Sequence, residues 1–356
     1  MSWSASGPGG RSSGGAIEPV AGVAGLVALG GCRASMVEKT ARASLLDLGD
    51  GCLCFEVHSP GNTLDDEVVA LLGRAVERAE RDFAALVIGN EGEHFGTGAN
   101  LAEVHRAARA GDWARIDQSV RDLQQTFQRL RQAQVPVVAA PFLYCLGGSA
   151  ELALAASACQ TYREIYIGLV EVSVGLVPAG GGCLRMVERW SADLEGVEGA
   201  DPLPFLAQLT ANLALSRVST GVEDGRRLRY LRAADGVTLE RHLLLSHAKR
   251  RALGLAGSGY LPPGRRRLRA AGRAAAEAIA TGLEPLARRE RLSDHDLHVV
   301  GKLLHVLTGG DAAPGSELSE EDFLDLEREA FLFLASEEQT QARMESILRS
   351  DTPLGD

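Results

Sequence analysis

Two short apolar runs, residues 84–88 and 137–140, each lead through a glycine-rich loop into a helix-forming stretch. The first gives way to His94-Phe95-Gly96-Thr97-Gly98-Ala99-Asn100-Leu101, the second to Leu146-Gly147-Gly148-Ser149-Ala150-Glu151. A short, continuously apolar run reads as a buried strand, and the alternation of such strands with helices and short glycine turns predicts an α/β fold. The neighbouring segments agree. Residues 45–48 and 52–58 flank Gly49-Asp50-Gly51 as a β-hairpin would. Residues 65–82 carry Val68, Leu71, Leu72, Val76 and Ala79 at helical spacing, and residues 113–134 repeat the pattern before Pro136. From about residue 201 the chain reads as mostly helical, with a break at Pro262-Pro263-Gly264.

Glycine turns that open helices also carry chemistry. They let the backbone approach a ligand, and the helix start presents unpaired N–H groups. Two such groups aimed at one carbonyl oxygen form an oxyanion hole. Glu151 follows the second turn, and Glu171 sits in Gly168-Leu169-Val170-Glu171 ahead of a further glycine loop. Two carboxylates sharing one water can divide acid and base roles. Ser149 is a poor nucleophile candidate, because its turn lacks the closing glycine of G-x-S-x-G. Glu164 reads as a surface carboxylate. His295 and His298 read as part of a solvated helix start capped by Ser293, not as metal ligands. Arg265, Arg266, Arg267 and Arg269 read as a solvated linker face, with the phosphates of a ligand as the other reading.

In order and spacing these motifs resemble the crotonase (enoyl-CoA hydratase/isomerase) family over roughly residues 45–186. The matching segments are Ser59-Pro60-Gly61-Asn62-Thr63-Leu64-Asp65, Phe95-Gly96-Thr97-Gly98-Ala99-Asn100-Leu101, Pro136-Val137-Val138-Ala139-Ala140 with Leu146-Gly147-Gly148-Ser149-Ala150-Glu151, and Gly168-Leu169-Val170-Glu171 with Gly175-Leu176-Val177-Pro178-Ala179-Gly180-Gly181-Gly182. Asp201-Pro202-Leu203-Pro204-Phe205, Leu307-Thr308-Gly309-Gly310-Asp311 and Leu326-Glu327-Arg328-Glu329-Ala330-Phe331 extend a resemblance to the crotonase half of bifunctional 3-hydroxyacyl-CoA dehydrogenase/enoyl-CoA hydratase proteins. The dehydrogenase half is missing, and no G-x-G-x-x-G follows a strand, so no NAD binding is expected.

The resemblance implies a crotonase-type ββα superhelical core over residues 37–262 and a C-terminal helical extension over 263–356. It implies that the backbone N–H groups of Ala99 and Gly148 hold the thioester oxygen, that Glu151 is the water base, and that Glu171 donates the α-proton. Gly98, Asn100 and Gly147 shape the substrate-binding loops. The implied activity is reversible hydration of a trans-2-enoyl-CoA to a 3-hydroxyacyl-CoA in fatty-acid β-oxidation, with no metal or other cofactor. Isomerisation of a 3-enoyl-CoA and a non-catalytic subunit docking a separate 3-hydroxyacyl-CoA dehydrogenase are the alternatives. A homotrimer or hexamer is implied as well. Ser149, Asn100 and Val170 depart from the family's usual Gly, Asp and Pro. Ser149 fits if its φ is negative, and Asn100 can still cap a helix.

Composition closes off other classes. Lys and Arg total 37 against 47 Asp and Glu, a net charge of −10, which argues against nucleic-acid binding. The six cysteines form no CxxC pair, and Cys52 and Cys54 alternate as core residues would, so a reduced, cytoplasmic protein is expected. Residues 1–35 hold nine Gly, six Ser and three charged residues, which predicts a flexible leader over residues 1–36. Its apolar stretch from Val20 to Cys32 is too short to span a bilayer, and Glu18-Pro19 at its edge argues against an export signal.

Overall fold

The computed structural model describes residues 26–194, 197 and 201–349. In chain order the strands are β1 Met36–Lys39, β2 Ala43–Asp47, β3 Cys52–Val57, β4 Ala85–Ile88, β5 Val137–Ala139, β6 Leu143–Leu146, β7 Ala158–Tyr162, β8 Ile165–Gly168, β9 Gly236–Thr238, β10 Arg267–Arg269 and β11 Glu317–Ser319. The helices are α1 Leu29–Cys32, α2 Asp66–Asp82, α3 Leu101–Arg109, α4 Trp113–Arg131, α5 Gly148–Ala155, α6 Gly182–Ser191, α7 Leu203–Ala214, α8 Val222–Arg227, α9 Leu244–Gly257, α10 Arg273–Glu290, α11 Asp294–Leu307, α12 Glu320–Ala335 and α13 Glu338–Arg349.

Seven strands form one sheet in the order β1-β2-β3-β4-β5-β7-β9. The hairpin β2–β3 is antiparallel, and pairing from β3 through β9 is parallel. Gly49, Asp50 and Gly51 all take positive φ, as the hairpin turn demands. Strand β6 leaves this sheet and pairs in parallel with β8, so the chain alternates between two sheets with helices between them. This alternation agrees with the α/β core that the sequence motifs imply. Asp65 caps α2 by accepting the Val68 N–H at 2.9 Å, and the apolar stripe of α2 is buried. Each large apolar side chain buried in this way contributes about 1.5–3 kcal/mol.

Three sequence expectations change. Residues 26–36, assigned to the leader, are packed on the core. Leu29 is fully buried, the Val27 N–H donates to Ser246 Oγ at 2.8 Å, and Arg33 binds both carboxylate oxygens of Glu56. The remainder of the expected leader, residues 1–25, lies outside the described residues. Within the mostly helical part, β9 extends the main sheet, and β10 and β11 pair with each other. Such three-residue strands give too little alternation to be read. The C-terminal helices also share the hydrophobic core of residues 37–262: Leu303, Phe323 and Leu334 are buried in the same cluster as Phe55 and Leu154. The six cysteines are unpaired, with Cys52 and Cys54 buried. No helix among the described residues is long and apolar enough to cross a membrane.

Candidate active site

The first glycine loop is fixed by a parallel bridge between Leu64 and Ala99. The Leu64 N–H donates to Gly98 O at 2.8 Å, and the Asn100 N–H donates to Leu64 O at 3.0 Å. Because alternate residues of an extended segment face opposite ways, the intervening Ala99 N–H is turned away from Leu64. The second loop brings in α5. Gly147 has φ +53° and donates its N–H to Gly168 O at 2.9 Å, joining the start of α5 to the end of β8. Gly98 has φ +98°, and a Cβ there would lie 3.1 Å from the Gly148 nitrogen, so only glycine fits. A Cβ on Gly148 would lie 3.3 Å from the Ala99 nitrogen. The two N–H groups are therefore neighbours, and neither donates to an acceptor among the described residues.

All eight residues of α5 are buried, and Glu151 is its only charged one. Its Oε1 accepts the N–H groups of Gly180 and Gly182, both at 2.8 Å, at the start of α6. Burial pushes the Glu151 carboxyl up to about 7, and these two N–H groups hold it from rising further. Glu171 opens a single 3-10 turn directly after β8. Its Oε2 is buried and has no hydrogen-bond partner among the described residues. Its carboxyl is raised well above the usual range, first by burial and then by the charge of Glu151. A cavity of about 110 Å³ brings these groups together: Ala99, Asn100, Gly148, Glu151 and Glu171 all line it. Its walls are largely apolar, and Phe331 of α12 closes one side.

Of the residues singled out from the sequence, Gly98 and Gly147 shape the loops behind this cavity. Asn100 stands at the start of α3, but its side chain makes no capping bond, which corrects that expectation. Its φ of −71° and ψ of 88° fall outside the extended region a capping side chain uses. Ser149 is not in the left-handed region, and its Oγ accepts the Gly98 N–H at 3.1 Å, so this departure ties the two glycine loops together. It is almost fully buried, which removes it further from nucleophilic chemistry. Glu164 is exposed, and His94 does not line the cavity. Ser293 caps α11 with a full capping box, but His295 is buried against Thr340 Oγ1 at 3.0 Å, not solvated. No group of potential metal ligands occurs among the described residues.

Two residues were missed. Glu327 of α12 is completely buried and accepts the N–H groups of Gly181 and Leu184, both at 2.7 Å. Burial and the nearby Glu151 raise its carboxyl well above the usual range. Gln124 of α4 donates to Ala179 O and Leu324 O, both at 2.8 Å, and so fastens α12 to the same turn. A signal for Glu327 exists. Phe323, Leu324, Ala330, Phe331 and Leu334 lie at i−4, i−3, i+3, i+4 and i+7 from it, so the carboxylate sits on the apolar stripe of its helix.

Residues 50–191 match the family described as enoyl-CoA hydratase/isomerase. This part of the chain is similar to that family. Over 319 residues it is 34% identical to a probable 3-hydroxyacyl-CoA dehydrogenase of Bacillus subtilis, a match covering 90% of this chain and 40% of that protein. It is 33% identical over 147 residues to the fatty acid oxidation complex subunit alpha of Idiomarina loihiensis, covering 39% of this chain and 20% of the relative. The chain thus spans well under half the length of these relatives. Among solved structures, an enoyl-CoA hydratase from Bacillus halodurans superposes with a TM-score of 0.59 at 14% identity, over 86% of this chain and all of the other. That likeness shows the crotonase fold.

Proposed function

We propose that the chain is an enoyl-CoA hydratase, adding water reversibly across the double bond of a trans-2-enoyl-CoA. The observation that carries this reading is the buried, unpartnered Oε2 of Glu171, in one small cavity with Glu151 and two undonated N–H groups. A buried oxygen without a partner is a place for a ligand or water to bind.

The thioester oxygen accepts from the Ala99 and Gly148 N–H groups, and the positive end of α5 favours the charge that gathers there. Glu151, with two N–H donors, is the first of the pair to ionise. It takes a proton from water as the oxygen attacks the β-carbon, and the alkene electrons move into the enolate. Glu171, still protonated, gives its proton to the α-carbon, which returns the electrons to the carbonyl and leaves a 3-hydroxyacyl-CoA. Only protons and a water molecule change place, so the step needs no redox group or metal. The product is a substrate for a 3-hydroxyacyl-CoA dehydrogenase, the activity in the name of the B. subtilis relative. We propose such a dehydrogenase as the partner, with the chain acting in the cytoplasm in β-oxidation as a homotrimer or hexamer; light scattering on the purified chain checks the assembly.

The test is hydration of crotonyl-CoA, followed as loss of the enone absorbance. Activity in the wild type that disappears in both Glu151→Gln and Glu171→Gln supports the reading. Activity only on a 3-enoyl-CoA would replace it with double-bond isomerisation. A folded chain inert on both overturns it in favour of a docking subunit.

A further inference from the structure

A second and larger cavity, of about 750 Å³, opens at the other end of α5, beside Ala155, Ala156 and Ser157. Eight helical residues separate it from the Gly148 N–H by about 12 Å, and no residue lines both cavities. Seven of its described lining residues are arginines, and the one carboxylate is Glu188. In a chain with a net charge of −10, this concentration of positive charge needs an account.

Part of it is structural. The C-terminal end of α5 attracts cations. Arg189 donates to Leu154 O at 3.4 Å, and Arg232 donates to Ser157 O at 2.7 Å. Glu188 pairs with Arg131, and Arg226 and Arg227 pair with Glu223 and Asp224 of their own helix. This leaves a remainder. Among the described residues, the hydrogen bonds of the Arg189 and Arg232 guanidinium groups go to backbone carbonyls alone. The buried Nε atoms of Arg131 and Arg226 have no hydrogen-bond partner among the described residues. Burial, then the charge of Arg232, holds Arg189 down to about 9; burial, then Arg185, holds Arg131 down to about 10. These guanidinium groups press on one another around an open concavity.

We propose that this cavity is a binding site for a small polyphosphate, as carried by a nucleotide, separate from the catalytic cleft. Guanidinium forks match phosphate oxygens in pairs, and the volume lies within the range of small-molecule sites. The rim supplies Tyr260 and Leu261, the latter 82% exposed, as an apolar surface for a base. Free inorganic polyphosphate presents the same phosphates without the base.

Calorimetric titration of the full chain with ATP and with inorganic tripolyphosphate tests this, with butyryl-CoA present to occupy the catalytic cleft. One ATP per chain is expected, with tripolyphosphate binding more weakly. Arg232→Gln and Arg227→Gln should each weaken ATP about tenfold or more. Arg227 is largely exposed, so its substitution keeps the test valid if the half-buried Arg232 variant fails to fold. Equal affinities for the two probes, with the same losses in the variants, keep the phosphate site and assign it to inorganic polyphosphate. The proposal is overturned by no saturable binding of either probe at millimolar concentration, by affinities that neither substitution changes, or by complete displacement with butyryl-CoA.

Discussion

The starts of α5 and α6 are built alike and used oppositely. Each follows a glycine turn, and each exposes backbone N–H groups at the positive end of a helix. At α6 these groups are occupied: Gly180 and Gly182 donate to Glu151, and Gly181 and Leu184 donate to Glu327. At α5 the Gly148 N–H donates to no acceptor among the described residues, and neither does the Ala99 N–H beside it. One turn holds resident carboxylates in place, while the other remains available, in the proposed mechanism, for negative charge that exists only during the reaction. On the proposed function, the same structural element serves as scaffold at α6 and as catalyst at α5, depending on whether the protein supplies its own anion.

The largest effects are expected from removing the two acids of the small cavity. Glu171→Gln and Glu151→Gln should each lower kcat for crotonyl-CoA hydration by about 10²–10⁴-fold, the usual worth of a general acid or base. Gly98→Ala attacks the open turn instead. The new Cβ would push on the Gly148 nitrogen, and a loss of about 10²–10³-fold in kcat is expected, as for a displaced oxyanion donor. A rise in KM with unchanged kcat would mean that these N–H groups hold the substrate no differently in the transition state.

The pH profile of wild-type kcat sharpens the comparison. In the proposed mechanism Glu151 is ionised, so the rate should climb as pH rises through about 7, and Glu171 is protonated, so the rate should fall at higher pH. Glu327→Gln loosens the occupied turn. One N–H of the Gly181–Leu184 pair loses its acceptor, costing about 1–3 kcal/mol in urea unfolding. The grip of the turn on Glu151 also weakens, so the acid limb of kcat should move to higher pH, a change that lost stability alone would not produce. The linkage has a definite sign. A carboxyl raised in the folded state keeps its full stability contribution below its unfolded value near 4.3 and loses it as pH rises through the folded value. Wild-type stability should therefore decline from mildly acidic to alkaline pH, and less steeply in Glu327→Gln. The smallest effect is expected from Ser149→Gly, which removes the acceptor of the Gly98 N–H: about 0.5–1.5 kcal/mol of stability and less than a tenfold change in kcat.

Much of this was legible because it is local. The hairpin around Gly49-Asp50-Gly51, the stripe of α2 and the strand–glycine–helix units depend on residues close in sequence, and so do the loops that carry Ala99 and Gly148. Glu151 and Glu171 stood out by their positions beside those loops. Glu327 did not, because its hydrogen bonds reach across 146 and 143 residues, and a carboxylate in a helix ordinarily reads as solvated. Gln124 hides for the same reason, since its two acceptors lie on segments far along the chain. The three-residue strands β9 to β11 exist only through partners that the sequence does not announce.

The reach of Glu327 has a consequence for how the chain is made. Synthesis runs from the N-terminus, and by the time α6 has emerged every residue of the small cavity except Phe331 is already present. The Gly180–Gly182 turn still lacks half its acceptors, and it keeps lacking them until more than a hundred further residues have been added. Until then Gly181 and Leu184 present bare N–H groups next to Glu151. Completion of the nascent site is thus deferred to the arrival of α12, and a ribosome-stalled or truncated chain ending before residue 327 should carry its glutamate pair on an unfinished turn.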